Sequence, residues 1–372
     1  MTELAVISLL AWVYLAALHG WFWRDGPSLP PARPAAAPPV AIIVPARDEA
    51  DLITRSLASL LVQDYPGAFR VVLVDDGSTD GTAKIAAALP DAADRLEVVR
   101  GALRPAGWAG KLWAVHQGIG ATAEELVLLT DADIVHAPGH LSALVAGMAE
   151  RRVDMVSEMV ALNCESAAER MLVPAFVYFF ALLYPFSWVN GPRITMSAAA
   201  GGTILIKRSA LTRIGGIAAI RGALIDDVAL ARAVKQGGRV WLGHGALARS
   251  VRPYPHFVAI WRMIARSAYV QLGNSPAMLA ASMLGLALIF LLPPAAALLG
   301  SMVGAMVGWL AWGVMTATFI PTLLRFRRSL LWAPLLPVIA AFYMTATIGS
   351  AIAHHRGRGV VWKGRAYGRG QA

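Results

Sequence analysis

The stretch RVVLVDDGSTDG, residues 70–81, contains the pattern that decides the fold. Residues 70 to 74 form a run rich in Val that is typical of a buried strand, and Asp75 and Asp76 follow it directly. The Gly, Ser, Thr and Asp residues after them indicate a turn, and residues 82 to 89 then have a helical pattern. These carboxylates are therefore expected at a sheet edge, free to bind a base or a ribose. The alternative is an Asp-rich turn in which Ser78 or Asp80 caps the helix.

Strand and helix patterns alternate from residue 40 to about residue 240. Residues 40 to 44, closed by Pro45, and residues 126 to 129 are further short apolar runs, and residues 51 to 62 have a helical pattern. This alternation indicates an α/β fold with a parallel sheet. Ligands are then expected at the carboxyl ends of the strands.

The composition indicates a membrane protein. Apolar residues make up 57% of the chain and charged residues 15%, against roughly 25% charged residues in ordinary soluble domains. The formal net charge of +10 lies largely beside apolar stretches, which indicates membrane topology and anionic headgroups and argues against nucleic acid as a partner. The single cysteine, Cys164, excludes an internal disulfide.

Residues 4–23 form an apolar stretch that ends in aromatic residues. Thr2 and Glu3 stand where a signal peptide would have basic residues, and the positive charges follow the stretch. We therefore expect an uncleaved anchor (1–24) whose N-terminus is outside, followed by a stiff Pro/Ala-rich linker (25–39). This orientation places the part of the chain that follows the anchor in the cytoplasm.

Three further apolar stretches, at about 277–299, 302–324 and 331–352, are predicted crossings. Three crossings would put the basic tail (354–372) outside, against the positive-inside rule. Either Pro334 and Pro337 mark a segment that does not cross fully, or the rule does not hold here.

Residues 171–189 are apolar and long enough to span a bilayer. A single crossing here would put Asp133 and Asp227 on opposite sides of the membrane. If both belong to one site, this segment must lie in the membrane interface or form a wall of the acceptor pocket.

Asp131-Ala132-Asp133 follows the apolar run at 126–129. In an extended backbone, residues two apart point to the same side, so both carboxylates are expected to face one ion. Hard oxygen ligands suit Mg²⁺ or Mn²⁺ bridging a diphosphate. The alternative is a surface turn, since Asp-x-Asp alone is common.

Asp226-Asp227 begins a helical pattern that stops at Gly237. The pair is either a helix cap or the source of a general base for deprotonating a hydroxyl. Because the helix dipole keeps such a carboxylate charged, we expect Asp227 to be a weak base.

A glycine pair and a lysine complete the candidate residues. Gly201 and Gly202 precede a strand-like run and would let a ligand approach the backbone, although a plain turn explains them equally well. Lys111 follows Trp108 and offers a cation to a sugar or a diphosphate, and a solvated loop lysine is the alternative. The histidines show no metal-ligand spacing.

In this order, the motifs from IIVPARDE at 42–49 through Asp227 resemble those of family 2 glycosyltransferases. With its N-terminal anchor, its C-terminal apolar stretches and the tail VWKGRAY at 361–367, the chain most closely resembles bacterial hopene-associated glycosyltransferases. The resemblance implies a GT-A fold, a Rossmann-like mixed α/β sheet, with N-terminal and C-terminal transmembrane helices. The implied domains are the catalytic domain at 40–275, which includes 171–189, and the transmembrane helices at 276–353.

The resemblance also implies a role for each matched residue. The nucleotide pocket would be lined by Pro45, Arg47 and Glu49, and uracil and ribose would be held by Asp75 and Asp76. The metal and diphosphate would be held by Asp131 and Asp133, and donor and acceptor would be bordered by Gly201 and Gly202. Asp227 would be the base of an inverting displacement.

Processive members of the family usually have Gln-x-x-Arg-Trp after the base, and this chain reads WRMIARS at 261–267. Arg262 and Arg266, one helical turn apart, are expected to contact the diphosphate. The mismatch favours transfer of a single sugar from a UDP-sugar to a lipid such as a hopanoid or another polyisoprenoid. The alternatives are a processive polysaccharide synthase and a non-catalytic glycolipid-binding membrane protein.

Overall fold

The computed structural model of the protein describes residues 1–90, 95–357, 360–362 and 365–367. The Lys363 and Gly364 positions of the tail motif lie outside the described residues. The chain divides into two compact units, and each is described by itself. A helical unit contains Met1–Gly26, Cys164–Ser187 and Tyr254–Val361, and an α/β unit contains Pro27–Asn163 and Trp188–Pro253.

The strands are β1 (Val40–Ala46), β2 (Phe69–Asp75), β3 (Leu96–Arg100), β4 (Leu126–Thr130), β5 (Ile134–His136), β6 (Met155–Ala161), β7 (Thr203–Lys207), β8 (Val240–Ser250), β9 (Val360–Trp362) and β10 (Arg365–Tyr367). The helices up to the end of the sheet are α1 (Thr2–Ala17), α2 (Ala50–Leu61), α3 (Thr82–Ala87), α4 (Gly110–Gly120), α5 (His140–Arg151), α6 (Ala167–Leu183), α7 (Phe186–Val189), α8 (Arg208–Arg213) and α9 (Asp226–Lys235). The later helices are α10 (Phe257–Ala265), α11 (Ala268–Gln271), α12 (Pro276–Leu286), α13 (Leu292–Leu299), α14 (Met302–Arg325) and α15 (Leu336–His355). A π-helical turn joins α12 to α13, and 3₁₀ turns span Ile217–Ile220 and Leu330–Leu335.

The main sheet has the strand order β3-β2-β1-β4-β7-β6-β8-β5. The prediction of a parallel sheet is right for β3, β2, β1 and β4 and for the pair β6 and β8. It is wrong for β7, which runs antiparallel to both β4 and β6, and for β5, which runs antiparallel to β8. Thr130 at the end of β4 pairs with Thr203 at the start of β7. The antiparallel strand therefore brings the segment before β7 to the edge at which β4 ends.

The sheet is buried on both faces, which explains its continuous apolar runs. On one face, Leu57 of α2 and Leu144 of α5 pack in one core with Ile42 of β1. On the other face, α4 approaches closely, since a Cβ on Gly118 would lie 2.6 Å from a methyl group of Ile43. Leu29, in the predicted linker, is also buried in this core.

Within the described residues, three helical stretches are long and apolar enough to cross a bilayer: Pro276–Leu299, Met302–Arg325 and Leu330–His355. They agree closely with the three predicted C-terminal stretches. The N-terminal helix α1 has 16 residues, fewer than the predicted span at 4–23 and fewer than the ~20 that a full crossing needs.

The predicted catalytic domain included residues 171–189, whereas the structure assigns residues up to Ser187 to the helical unit. Helix α6 explains the difference. Its residues Leu172 and Tyr178 are buried in the same apolar core as Phe319 of α14 and Ile339 of α15. The apolar segment thus buries its surface against the C-terminal helices.

Candidate active site

Four segments of the α/β unit meet around an open cleft. Its charged lining consists of Lys111 in the first turn of α4, Asp131 after β4, and Asp226 and Asp227 in the first turn of α9. Gly201, which precedes β7, also lines the cleft. The apolar walls are Leu112, Val115, Leu129, Ile204, Ile217, Ile220 and Leu230. The structure thus brings together charged residues that are far apart in sequence, from Lys111 to Asp227.

Lys111 is the central cation of the described cleft residues. Its Nζ atom lies 2.8 Å from Asp131 Oδ1 and 3.1 Å from Asp226 Oδ2. Burial alone lowers the pKa of a lysine, but the Asp131, Asp226 and Asp227 carboxylates outweigh that effect and raise the Lys111 pKa above its ordinary value. Lys111 therefore stays protonated. Of the two predicted alternatives, the structure excludes a solvated loop lysine.

Asp227 is held by two backbone amides. The Gly201 N–H donates to its Oδ2 atom at 2.9 Å, and the Val228 N–H donates to its Oδ1 atom at 2.8 Å. Burial and the adjacent Asp226 raise the pKa of Asp227 to about 7, although Lys111 and the two amides oppose the increase. The expectation of a weak base kept charged by the helix dipole is wrong, because burial and the Asp226 carboxylate raise the Asp227 pKa well above its ordinary value. A carboxylate with this pKa is suited to general base catalysis at neutral pH.

The argument that Asp131 and Asp133 share one face of an extended backbone is also wrong. Residues 131 to 133 form a turn, closed by the Ile134 N–H donating to the Asp131 carbonyl at 3.2 Å. Asp133 Oδ2 lies 2.5 Å from the Nε atom of Arg252, and Arg252 Nη2 lies 2.7 Å from both carboxylate oxygens of Glu49. In this conformation each aspartate is paired with a different cation.

These residues suit a divalent ion that a diphosphate helps to bind. Among the residues that the structure describes, no three His, Cys, Asp or Glu side chains are grouped so that they alone could hold an ion. Mg²⁺, however, is commonly held by one or two carboxylates together with substrate phosphates. Burial raises the pKa of Asp131, and Asp133 and Asp226 raise it further while Lys111 lowers it. Such a concentration of carboxylates is compatible with an added cation.

The turns after β1 and β2 are bonded to each other. Arg47 donates through Nη1 to the carbonyls of Asp76 and Gly77, the second at 3.3 Å, and the Glu49 N–H donates to Thr82 Oγ1 at 2.8 Å. Asp75 is buried and accepts weak bonds of 3.3 Å from the Ser78 N–H. Asp76 is also buried, and Pro45 lines the cleft. The predicted nucleotide-binding residues at 45–49 and 75–76 therefore lie at the carboxyl ends of β1 and β2 and on the connected turns that follow them.

The two glycines have different surroundings. A Cβ on Gly201 would lie 3.3 Å from Lys111 Nζ and 3.5 Å from Asp227 Oδ2, so Gly201 faces the charged group. A Cβ on Gly202 would lie 2.9 Å from a methyl group of Val160, so Gly202 faces the sheet instead.

Arg262 lies in α10 and Arg266 follows its last residue, and both belong to the helical unit. Their contact with a diphosphate therefore stays a prediction.

Sequence reasoning missed two features of the site. Arg252, which joins Glu49 to Asp133, follows β8 without any motif around it. His136 and His140 lie in a buried network beside the cleft. His136 ends β5 and His140 begins α5, so no sequence pattern signalled their contact.

The model of the family described as "Glycosyl transferase family 21" matches residues 3–370. The chain is 40% identical over 113 residues to the succinoglycan biosynthesis protein ExoU of Rhizobium meliloti, a match covering 30% of this chain and 31% of that protein. It is 36% identical over 97 residues to a beta-monoglucosyldiacylglycerol synthase of Nostoc, covering 26% of this chain and 20% of that one. The match thus spans less than a third of each of these relatives.

The fold is similar to that of the mannosyltransferase PcManGT from Pyrobaculum calidifontis, solved in complex with GDP-Man and Mn²⁺. The TM-score is 0.62 at 23% sequence identity, and the alignment covers 94% of this chain and 98% of that one. The predicted GT-A fold, a mixed α/β sheet with C-terminal apolar helices, is confirmed.

Proposed function

The chain belongs to glycosyl transferase family 21, and from that premise we propose that it is a membrane-bound glycosyltransferase that moves one sugar from a nucleotide-sugar to a lipid hydroxyl. The observation that carries the proposal is the charged group of Lys111, Asp131, Asp226 and Asp227 around one cleft, in which Asp227 has a pKa of about 7. The Nostoc relative is named for the synthesis of a glycosylated diacylglycerol, which supports a lipid acceptor.

In the proposed reaction, an acceptor hydroxyl attacks the anomeric carbon of the donor from the side of Asp227. The new C–O bond forms as the bond to the diphosphate breaks, and the nucleoside diphosphate leaves with the electron pair. The hydroxyl proton passes to a carboxylate oxygen of Asp227, which the Gly201 and Val228 amides hold in place. Attack opposite the leaving group inverts the configuration of the anomeric carbon.

The remaining residues bind the donor in this proposal. Asp131 and Asp133 would hold Mg²⁺ or Mn²⁺, which when bound neutralises charge on the diphosphate leaving group. The nucleotide would be bound by Pro45, Arg47, Glu49, Asp75 and Asp76. Arg252 is the present counter-charge of Asp133. A bound metal ion would replace it in that role, and Asp133 would then be released from Arg252.

The finer proposals concern the substrates and the membrane. We propose a UDP-sugar donor and a polyisoprenoid acceptor such as a hopanoid, on the basis of the sequence resemblance. The three long apolar helices support a multi-pass protein of a bacterial inner membrane. The basic residues after the N-terminal stretch support a catalytic unit on the cytoplasmic face.

The test is to incubate membranes containing the protein with labelled nucleotide sugars and extracted lipids, and to identify products by mass spectrometry. We expect a lipid that carries one added sugar of inverted configuration. Asp227→Asn should abolish transfer and keep donor binding, whereas Asp51→Asn, which changes an exposed carboxylate of α2, should keep both. Products with several sugars would support a polysaccharide synthase, and donor binding without any turnover would support a non-catalytic protein.

Metal use is tested separately by Mn²⁺ binding, measured by electron paramagnetic resonance with and without UDP. Asp131→Asn and Asp133→Asn should each weaken binding of the ion by about 10-fold or more in the presence of UDP, because each removes a charged oxygen ligand. Unchanged binding in both variants would exclude this metal site.

A further inference from the structure

A line of buried polar side chains ends beside the cleft and has no role in the reaction proposed above. Thr130 Oγ1 lies 3.0 Å from His136 Nε2, and His136 Nδ1 lies 2.8 Å from His140 Nδ1. His140 Nε2 lies 2.7 Å from Glu158 Oε2. All four side chains are at most 3% exposed. Thr130 also lines the cleft.

The directions of these hydrogen bonds follow from the carbonyl at one end. The Gly202 carbonyl can only accept, so Thr130 Oγ1 donates to it at 2.8 Å, as does Thr203 Oγ1 at the same distance. Thr130 must then accept from His136 Nε2–H. A neutral His136 with its proton on Nε2 accepts at Nδ1, so His140 donates from Nδ1.

At the other end of the line, His140 Nε2 and the Glu158 carboxylate share one proton. With its Nδ1 atom protonated, His140 either is an imidazolium beside a Glu158 carboxylate or is neutral and accepts from a protonated Glu158. The pair has no net charge in either arrangement. Burial and the adjacent His140 lower the pKa of His136 well below its ordinary value, which agrees with a neutral ring at the centre of the line.

We propose that Thr130, His136, His140 and Glu158 form a positioning relay that fixes the end of β4 against the start of β7 and so sets the separation of Asp131 from Asp227. Thr130 directly precedes Asp131, and the carbonyl it binds belongs to Gly202. Gly202 follows Gly201, whose N–H holds Asp227. The hydrogen bond from Thr130 Oγ1 to the Gly202 carbonyl thus joins the residue before Asp131 to the residue after Gly201, which binds Asp227.

The chemistry of the network favours this role over a contribution to stability alone. Replacing a buried ionic network by apolar residues of similar volume is often neutral or stabilising, so such a network is weak evidence of stability. A fully bonded network instead restricts the backbone to one arrangement. Ser157 acts beside it, since its Oγ atom accepts from the Ala200 N–H at 2.9 Å and lies 3.2 Å from the Ala200 carbonyl.

The first experiment does not depend on activity. Protein labelled with ¹⁵N-histidine is measured by NMR from about pH 6 to about pH 8, around the ordinary histidine pKa, and the His136→Gln variant assigns the resonance. We expect His136 to stay neutral with the proton on Nε2 throughout. A His136 ring that gains a charge over this range, or that has its proton on Nδ1, would overturn the relay.

The second experiment rests on the proposed function and measures sugar transfer. Thr130→Val keeps the side-chain shape and removes the hydroxyl, so kcat should fall by about 10- to 100-fold with little change in the donor KM. Thr130→Ser retains the hydroxyl and should keep kcat within about threefold of the wild-type value. His136→Gln, which retains a donor and an acceptor, should lose less activity than His136→Leu.

Equal kcat values for Thr130→Val and Thr130→Ser would refute the positioning role. If the wild-type protein transfers no sugar, the proposed function fails, and the NMR result still decides whether the relay exists.

Discussion

The backbone N–H of Gly201 lies 2.9 Å from Oδ2 of Asp227, although the two residues belong to different elements of the fold. Gly201 precedes β7, and Asp227 lies in the first turn of α9. The bond orients the carboxylate toward the cleft that Lys111 and Asp131 also line. It stabilises the charged form of Asp227, but burial and Asp226 outweigh it and bring the pKa to about 7.

The first prediction concerns the pH dependence of transfer. A general base acts in its deprotonated form, so kcat/KM should fall as the pH drops below about 7, the pKa of Asp227. The decrease should approach tenfold per pH unit at lower pH. The measurement is a pH profile of sugar transfer by membrane preparations. A profile that stays flat down to about pH 5, well below that pKa, would exclude Asp227 as the base.

The second prediction concerns stability. Because the Asp227 pKa is raised from 3.8 to about 7, the folded protein retains a proton between these values that the unfolded chain has lost. This group therefore makes the folded state less stable as the pH rises through that window. Asp227→Asn removes the effect, so the Tm of the variant minus that of the wild type should increase from about pH 5 to about pH 8. Asp51→Asn, which changes an exposed carboxylate of α2, is the control for the loss of one negative charge.

The third prediction concerns Lys111. Its positive charge lowers the Asp227 pKa and pairs with Asp131 and Asp226. Lys111→Met should therefore move the acid limb of the activity profile to higher pH and reduce transfer at neutral pH by about 10- to 100-fold. Lys84→Met changes an exposed lysine and should alter neither quantity. An unshifted acid limb in the Lys111 variant would show that this lysine does not tune the base.

The fourth prediction concerns Arg252, which joins Asp133 to Glu49. Arg252→Met leaves two poorly exposed carboxylates without this cation, and breaking such a pair typically costs about 3–5 kcal/mol. Thermal unfolding in detergent should therefore show a clearly lower Tm. The matched control is Arg33→Met, which breaks an exposed pair with Asp64 and should cost less than about 1 kcal/mol. Equal Tm values for the two variants would show that the Arg252 bridge does not form.

The fifth prediction concerns α1. Ser8 Oγ donates to the Leu288 carbonyl at 2.7 Å and Trp12 Nε1 to the Ile289 carbonyl at 2.5 Å. Both carbonyls lie in the π-helical turn before Pro293, whose missing N–H cannot serve the Ile289 carbonyl. Trp12→Phe should lower stability by about 1 kcal/mol through the lost donor.

The control for that prediction is Trp309→Phe, which changes an exposed indole and should leave the Tm nearly unchanged. Because α1 makes these bonds, we also predict that it stays part of the protein. The measurement is the intact mass of the purified protein, and a mass that lacked the residues of α1 would contradict this prediction.

The fold class could be predicted from sequence because its signals are local. Three short apolar runs form β1, β2 and β4, because burial on both faces of a sheet requires such runs. The turns after them are also short local patterns. The three long apolar C-terminal helices are equally local. The direction of β7 was not predictable, since it depends on its pairing with β4, some 75 residues earlier in the chain.

The sequence by itself determined that carboxylates lie at the ends of strands and at the start of α9, and so indicated the acidic residues of the candidate site, but not Arg252. Only the tertiary structure decided their partners: Lys111 for Asp131 and Asp226, and Arg252 for Asp133 and Glu49. It also raised the pKa of Asp227 to about 7, where the helix start alone indicated a charged weak base. The physical reason is that charge interactions and desolvation depend on distance and burial in space, and neither quantity is contained in the spacing of residues along the chain.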